Sequence, residues 1–307
     1  MLPSFSTDPE FGYPGSAVSW GPAYNDQMIL WWDSIMRPWS PQPDNLKIPF
    51  QDGHSFTHNL SVEGGSDAGT LRISLTRTDN TPIVYNSNYH QTTLSTNSMI
   101  KVSDRVSLGL SAAYADYHRL NSPMLGEDPS SFSKGLLYSW PRSYQGEDLS
   151  HYTLPDGTRD PLEGFPYLYI DQYLWWNYYN NNTTLDRIKL TGGLTLTYNI
   201  TSWLSFTGRT GIDYTGDEYE QKNKPSDLIG LQNGYYSVTQ QRDRSYNNEF
   251  LLSATKSKIF DSDFNTTFNI GGSSWDRDLR NQSAHSGTWY FPNWYSLSNY
   301  TPDVYGQ

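Results

Sequence analysis

The sequence predicts an all-β protein: an antiparallel, up-and-down transmembrane β-barrel segment of about eight strands. Three observations predict it. Apolar and polar residues alternate with period two in eight stretches. The connections between these stretches alternate between short and long. Aromatic residues gather near the ends of the alternating stretches, where membrane interfaces favour them.

Residues 1–55 read as an irregular segment, because Pro9, Pro14, Pro22, Pro38, Pro41, Pro43 and Pro49 interrupt any regular element. From Phe56 to residue 307 the pattern is that of barrel strands with long loops. His58, Leu60, Val62 and Gly64 share one face, and a turn at Ser66-Asp67-Ala68-Gly69 leads to Leu71, Ile73 and Leu75. Leu94, Thr96, Ser98 and Ile100 form a weaker third strand. Val106, Leu108, Leu110, Ala112 and Tyr114 form a fourth. The clearest alternation is Ile188, Leu190, Gly192, Leu194, Leu196 and Tyr198 against Lys189, Thr191, Gly193, Thr195 and Thr197. It returns through Leu204, Phe206, Gly208, Thr210, Ile212 and Tyr214. Tyr246, Phe250, Leu252 and Ala254 then lead through Phe260-Asp261-Ser262 to Phe264, Phe268 and Ile270. No convincing amphipathic helix is visible.

Short turns fall near 66–69, 99–105, 200–203 and 257–263. Long extracellular loops are expected at 79–91, 118–182, 215–240 and 273–307. The 188–198 strand, at about 3.3 Å per residue and a tilt of about 45°, spans roughly 26 Å, the height of a barrel's apolar band. A soluble, aromatic-rich, carbohydrate-binding β-sandwich is the alternative, since it alternates too. Its strands would be shorter, however, and a link as long as 118–182 would be out of place in it.

Composition removes several function classes. Lys+Arg 21 against Asp+Glu 32 gives a formal charge of −11, which disfavours nucleic-acid binding. The chain has no cysteine, so disulfides, thiolate metal sites and cysteine nucleophiles are excluded. Mean hydropathy is −0.69, and the longest near-continuous apolar run, Met28 to Trp32, is far short of a membrane helix. No basic and apolar leader is readable at Met1. The histidines at 54, 58, 90, 118, 151 and 285 lack metal-site spacing, and no phosphate-binding glycine loop is present. Gly64-Gly65, Gly192-Gly193 and Gly271-Gly272 read as bends or bulges within strands. Asp156-Gly157-Thr158-Arg159-Asp160 reads as a tight turn, because it lacks the ligand series of a calcium loop. The acids at Asp213, Asp217, Glu218 and Glu220 read as a solvated loop mouth. No catalytic residue, metal or cofactor is expected.

The functional signal lies in two aromatic runs. Residues 173–182 contain Trp175, Trp176, Tyr178, Tyr179 and Asn180. Residues 289–295 contain Trp289, Tyr290, Trp294 and Tyr295. Flat rings stack on sugar faces or peptide side chains, and amides hydrogen-bond to them. Packing of the loops against one another would use the same residues.

Several stretches resemble the SusC/RagA-like TonB-dependent receptors of the Bacteroidetes outer membrane. Ser19-Trp20-Gly21-Pro22 with Asn25-Asp26-Gln27 is similar to that family's "SWGP…DGQ" segment. The run from Phe56 to Gly65 followed by Arg72-Ile73-Ser74-Leu75 resembles its "NNVSVSGG…RLSL" hairpin. Asn86-Ser87-Asn88-Tyr89, Asp186-Arg187, Ile200-Thr201-Ser202-Trp203-Leu204 and Gly211-Ile212-Asp213-Tyr214 continue the likeness in order to about residue 215. His90 and Gln91 depart from it. The resemblance implies part of a larger receptor barrel that imports oligosaccharides or oligopeptides. It implies a SusD-like surface lipoprotein partner, and a drive from TonB–ExbB–ExbD through a plug not present in this sequence. The barrel would be set in outer-membrane lipid and would have no enzymatic activity.

Overall fold

A computed structural model describes residues 23–30, 35–48, 50–122, 152–159, 174–226, 232–257, 264–286, 289–291 and 293–299. The Ser19–Pro22 motif, the Phe260-Asp261-Ser262 turn and most of 118–182 lie outside the described residues. A small hairpin, β1 (Met28–Leu30) with β2 (Met36–Pro38), precedes the main sheet. The eight strands are β3 (His54–Ser66), β4 (Gly69–Thr81), β5 (Asn88–Lys101), β6 (Val106–Leu120), β7 (Asn181–Asn199), β8 (Leu204–Asn223), β9 (Tyr235–Lys256) and β10 (Thr266–His285). They form one antiparallel meander in strict chain order. One helix, α1 (Leu174–Asn180), stands directly before β7.

All eight alternating stretches are strands, and each runs further than the alternation marks. β9 reaches 22 residues, against the 9–11 that cross a bilayer. Ladder hydrogen bonds need no apolar side chains, so the sheet continues as a wall above the apolar band. Strand residues therefore occupy parts of 79–91, 215–240 and 273–307, and the connections narrow to 82–87, 121–180 and 224–234. The turns at the opposite rim stay tight. Ser66 Oγ accepts from the Ala68 amide, and Thr201 Oγ1 from that of Leu204. The glycine pairs do not make bulges: Gly192-Gly193 and Gly271-Gly272 are paired without interruption of register. At Gly271 the neighbouring backbone comes close, and an added Cβ would meet Phe250 O at 2.6 Å.

Register builds continuous rows. Leu60, Leu75, Leu94, Tyr114, Leu190 and Tyr214 pair successively across β3 to β8. The next rows on that face contain Val62 with Ile73 and Leu110 with Leu194. Apart from the half-buried Tyr214 these residues are exposed, Leu60 at 68% and Val62 at 69%. The only other sheet among the described residues is the short β1–β2 hairpin, so no second layer covers the apolar face as a sandwich requires. The buried apolar residues are Val84, Trp175, Trp176, Tyr178 and Tyr236, and none lies in the middle of the sheet.

The apolar rows also reveal strand tilt. The rows of Leu60 and Val62 reach Asp278 and Asp276 on β10, whereas the apolar pair of β10 is Phe268 and Ile270. The band thus slips about eight residues, roughly 26 Å, over seven spacings of about 4.8 Å, a tilt of about 38° that falls in the barrel range. The opposite face is polar. Arg187 donates to both carboxylate oxygens of Asp217 at 2.7 and 2.6 Å, and Arg209 to Glu249 at 2.6 Å. An open groove of about 890 Å³ forms over this face, with Glu63, Arg72, Asn97, Ser111, Thr195 and Arg209 in its lining.

Candidate functional site

Both aromatic runs fold at the rim that carries the long connections. The first supplies α1, which the period-two reading passed over because the helix is only seven residues long. Trp176 is completely buried, and Trp175, Tyr178 and Asn180 are buried too. Tyr85, from the 82–87 connection, packs its ring 5.1 Å from that of Trp175. Tyr178 meets Trp175 edge-on at 5.8 Å. Tyr179 stays exposed and stacks on Tyr152 at 5.4 Å with an interplanar angle of 12°. Burial pushes the Tyr178 phenol well above its ordinary range, and raises that of Tyr179.

Asparagines fix this cap to the sheet. Asn86 Nδ2 donates to Tyr178 O at 2.5 Å and to Asn182 Oδ1 at 3.0 Å. Asn121 Nδ2 donates to Asn86 O and to Asn182 Oδ1, both at 2.8 Å, while its Oδ1 accepts from the Thr183 amide at 2.7 Å. Asn86 and Asn121 have φ of 51° and 49°, a left-handed backbone that asparagine tolerates better than most side chains. The start of β5, the end of β6 and the start of β7 are thereby locked to the helix.

The second run folds on a different asparagine. Asn299, buried, donates through Nδ2 to Phe291 O at 2.7 Å and to Trp294 O at 2.6 Å, and its Oδ1 accepts from the Phe291 amide. Trp289 meets Tyr295 edge-on at 5.0 Å, and Tyr295 approaches Tyr236 at 6.1 Å. Gly234, with φ +69°, lets Trp289 close in: an added Cβ would meet Trp289 Cζ2 at 2.7 Å and Asn223 O at 2.9 Å. Asn223 pairs with Asn181, and the Lys224 amide donates to Asn180 O at 3.0 Å. The end of β8 therefore links the two clusters.

Of the nine residues expected to contact a ligand, Trp175, Trp176, Tyr178 and Asn180 are buried in the cap, with Trp175 and Tyr178 packed against Tyr85 of the β4–β5 connection. Trp289 and Tyr295 are half-buried and pack on each other. Tyr179 keeps an exposed edge but stacks between Tyr152 and Trp175. The open rings are those of Tyr290 and Trp294, joined by Phe291 of the same run. Tyr290, Phe291 and Trp294 are each more than half exposed, and Phe291 and Trp294 lie 6.0 Å apart. Tyr85, Asn86, Asn121 and Asn299 are further cap residues. The one available signal for Asn86 and Asn121 was their amide chemistry beside strand ends.

Residues 156–159 form a tight turn. Asp156 Oδ1 accepts from the Thr158 hydroxyl and amide, which holds its carboxyl below the usual range. Among the described residues no group of three or more His, Cys, Asp or Glu is placed to hold a metal, and no helix is long and apolar enough to cross a membrane.

A scan against protein-family models finds no match, and neither does a search of curated proteins. Solved structures do match. A chain from the structure of the RagAB peptide transporter aligns with a TM-score of 0.71 at 14% identity, over 88% of this chain and 30% of that one. A chain of the RagAB peptide importer in the "closed-closed" state aligns with a TM-score of 0.67 at 14% identity, over 86% of this chain and 29% of that one. The present chain thus spans about three-tenths of the length of the chains it matches. At this identity the likeness is one of fold, that of a RagA-like β-barrel segment.

Proposed function

We propose that this chain forms part of the transmembrane barrel of an outer-membrane, TonB-dependent nutrient importer of the SusC-like kind. The observation that carries the proposal is a single curved sheet whose exposed rows are apolar and whose grooved face is polar, as lipid outside and water inside require. The fold shared with the RagAB peptide transporter adds support, and favours oligopeptides over oligosaccharides as cargo. Transport needs no covalent chemistry from these residues. A surface lipoprotein partner would close over the long-connection rim, and TonB–ExbB–ExbD would supply energy.

In this reading the polar ladders keep the interior wet. The cap of α1 and Asn86, Asn121 and Asn182 holds the rim rigid, while Tyr290, Phe291 and Trp294 offer ring faces to ligand or partner and Tyr179 offers its exposed edge. The test uses the full-length protein in cells, fractionated and then assayed for uptake of mixed oligopeptides and of oligosaccharides. Recovery in the outer-membrane fraction with peptide uptake supports the proposal. Recovery in the buffer-soluble fraction contradicts it.

A further inference from the structure

The exposed face follows the same order along several strands. On β6 it runs Leu108, Leu110, Ala112, Tyr114, then Asp116. On β8 it runs Ile212, Tyr214, Gly216, then Glu218. On β9, which runs the other way, the order from the apolar end is Leu252, Phe250, Asn248, Tyr246, then Arg244 and Arg242. The tyrosines mark the interface, and a charged collar stands just above it. The collar is acidic at Asp116 and Glu218, basic on β9 at Arg242 and Arg244, and mixed on β10 at Asp276, Asp278 and Arg280.

There Arg242, Arg244 and Arg280 converge on Asp278, at 3.7, 3.5 and 3.3 Å. The Arg244 guanidinium carbon sits 5.4 Å from the centre of the Tyr246 ring, at the depth of the tyrosine belt. Arg242 lies two residues further along the strand, about 7 Å higher. The other acids on this part of the face are Asp276, paired opposite Tyr246, and Glu218, which accepts from Gln240 Nε2 at 2.7 Å. One carboxylate at the centre of three guanidinium groups leaves their outward donors open to a further anion, and planar guanidinium groups suit phosphate oxygens.

We infer that Arg242, Arg244 and Arg280 form a binding site for the phosphate of a membrane-lipid headgroup on the outer wall of the sheet. The inference rests on the membrane reading above. Its position selects a lipid over a free anion: on the same face of β9 Tyr246 comes two residues from Arg244 and Phe250 six, in the direction of the apolar band, so a phosphate held here lets acyl chains run down past Tyr246 toward Phe250. Asp278 holds the three side chains together and competes with the ligand.

The experiment places the full-length protein in phosphatidylcholine nanodiscs doped with bis-phosphorylated lipid A and counts retained lipid A by native mass spectrometry. R242Q/R280Q is expected to lower retention about tenfold. D278N is expected to raise it, a gain that misfolding would not produce. Arg209→Gln, on the opposite face, is expected to leave it unchanged. Equal retention by wild type, R242Q/R280Q and D278N overturns the site. Release of lipid A by millimolar inorganic phosphate overturns the lipid assignment in favour of a free-anion site. Failure of the wild-type protein to enter membranes would instead defeat the functional reading, which separates the two outcomes.

Discussion

Leu110 on β6 pairs directly with Leu194 on β7, and both stay open to the surroundings, at 47% and 43% exposure. One residue along β7, Thr195 lines the groove on the other face. Two neighbouring positions thus lie on opposite faces of the sheet, which the proposed function assigns to lipid and to water. Leu194→Arg is expected to cost about 2–4 kcal/mol near the bilayer midplane, and Thr195→Arg to cost little. Folding titrations into lipid vesicles measure both.

The two rim tryptophans should separate stability from recognition. Trp176 is fully enclosed, so Trp176→Ala is expected to destabilise by about 3–5 kcal/mol. Trp294→Ala removes an exposed ring and should leave the melting temperature nearly unchanged while weakening peptide binding. Thermal melts and binding isotherms on the same variants check the contrast.

Asn121 serves three partners at once: the Asn86 carbonyl, the Asn182 side chain and the Thr183 amide. Asn121→Ala leaves buried polar groups unpaired, at about 1–3 kcal/mol. Faster amide exchange confined to residues 84–88 and 178–184 is the expected signature.

Gly234→Ala should disturb the other half of the rim, because its φ is +69° and the new methyl would press on Trp289. A cost above about 1 kcal/mol is expected, with loss of the native Trp289 environment in near-ultraviolet circular dichroism.

Alkaline pH should loosen the cap. The Tyr178 phenol is raised in the folded state by burial. The unfolded phenol releases its proton near pH 10, so the stabilisation is complete below that pH and declines as pH rises above it. Tyr178→Phe should flatten this decline in melting temperature.

Much of the sheet was legible in the sequence because an apolar face and a polar face alternate with a strict period of two. Val106 to Tyr114 and Ile188 to Tyr198 show that directly. The strand ends were not legible. Beyond the apolar rows both faces of the sheet carry polar residues, so Asp116, His118, Glu218 and Glu220 continue their strands without alternation. The helix at Leu174–Asn180 is a single short element whose aromatic residues fit a loop pattern equally well. For the same reason Trp175, Trp176 and Tyr178 read as ligand platforms, whereas their partners Tyr85 and Asn86 lie about ninety positions away in the chain, beyond the reach of local pattern.

The central claim is that successive residues of β7 alternate between hydrocarbon and water. The chain has no cysteine, so single cysteines can be placed at 190, 191, 194, 195, 196 and 197 and spin-labelled, in full-length protein with any cysteine elsewhere replaced by serine, in lipid vesicles. The account predicts that labels at 190, 194 and 196 collide with dissolved oxygen, and that labels at 191, 195 and 197 collide with a water-soluble nickel chelate. Equal accessibility of the two series, or the reverse alternation, would contradict it.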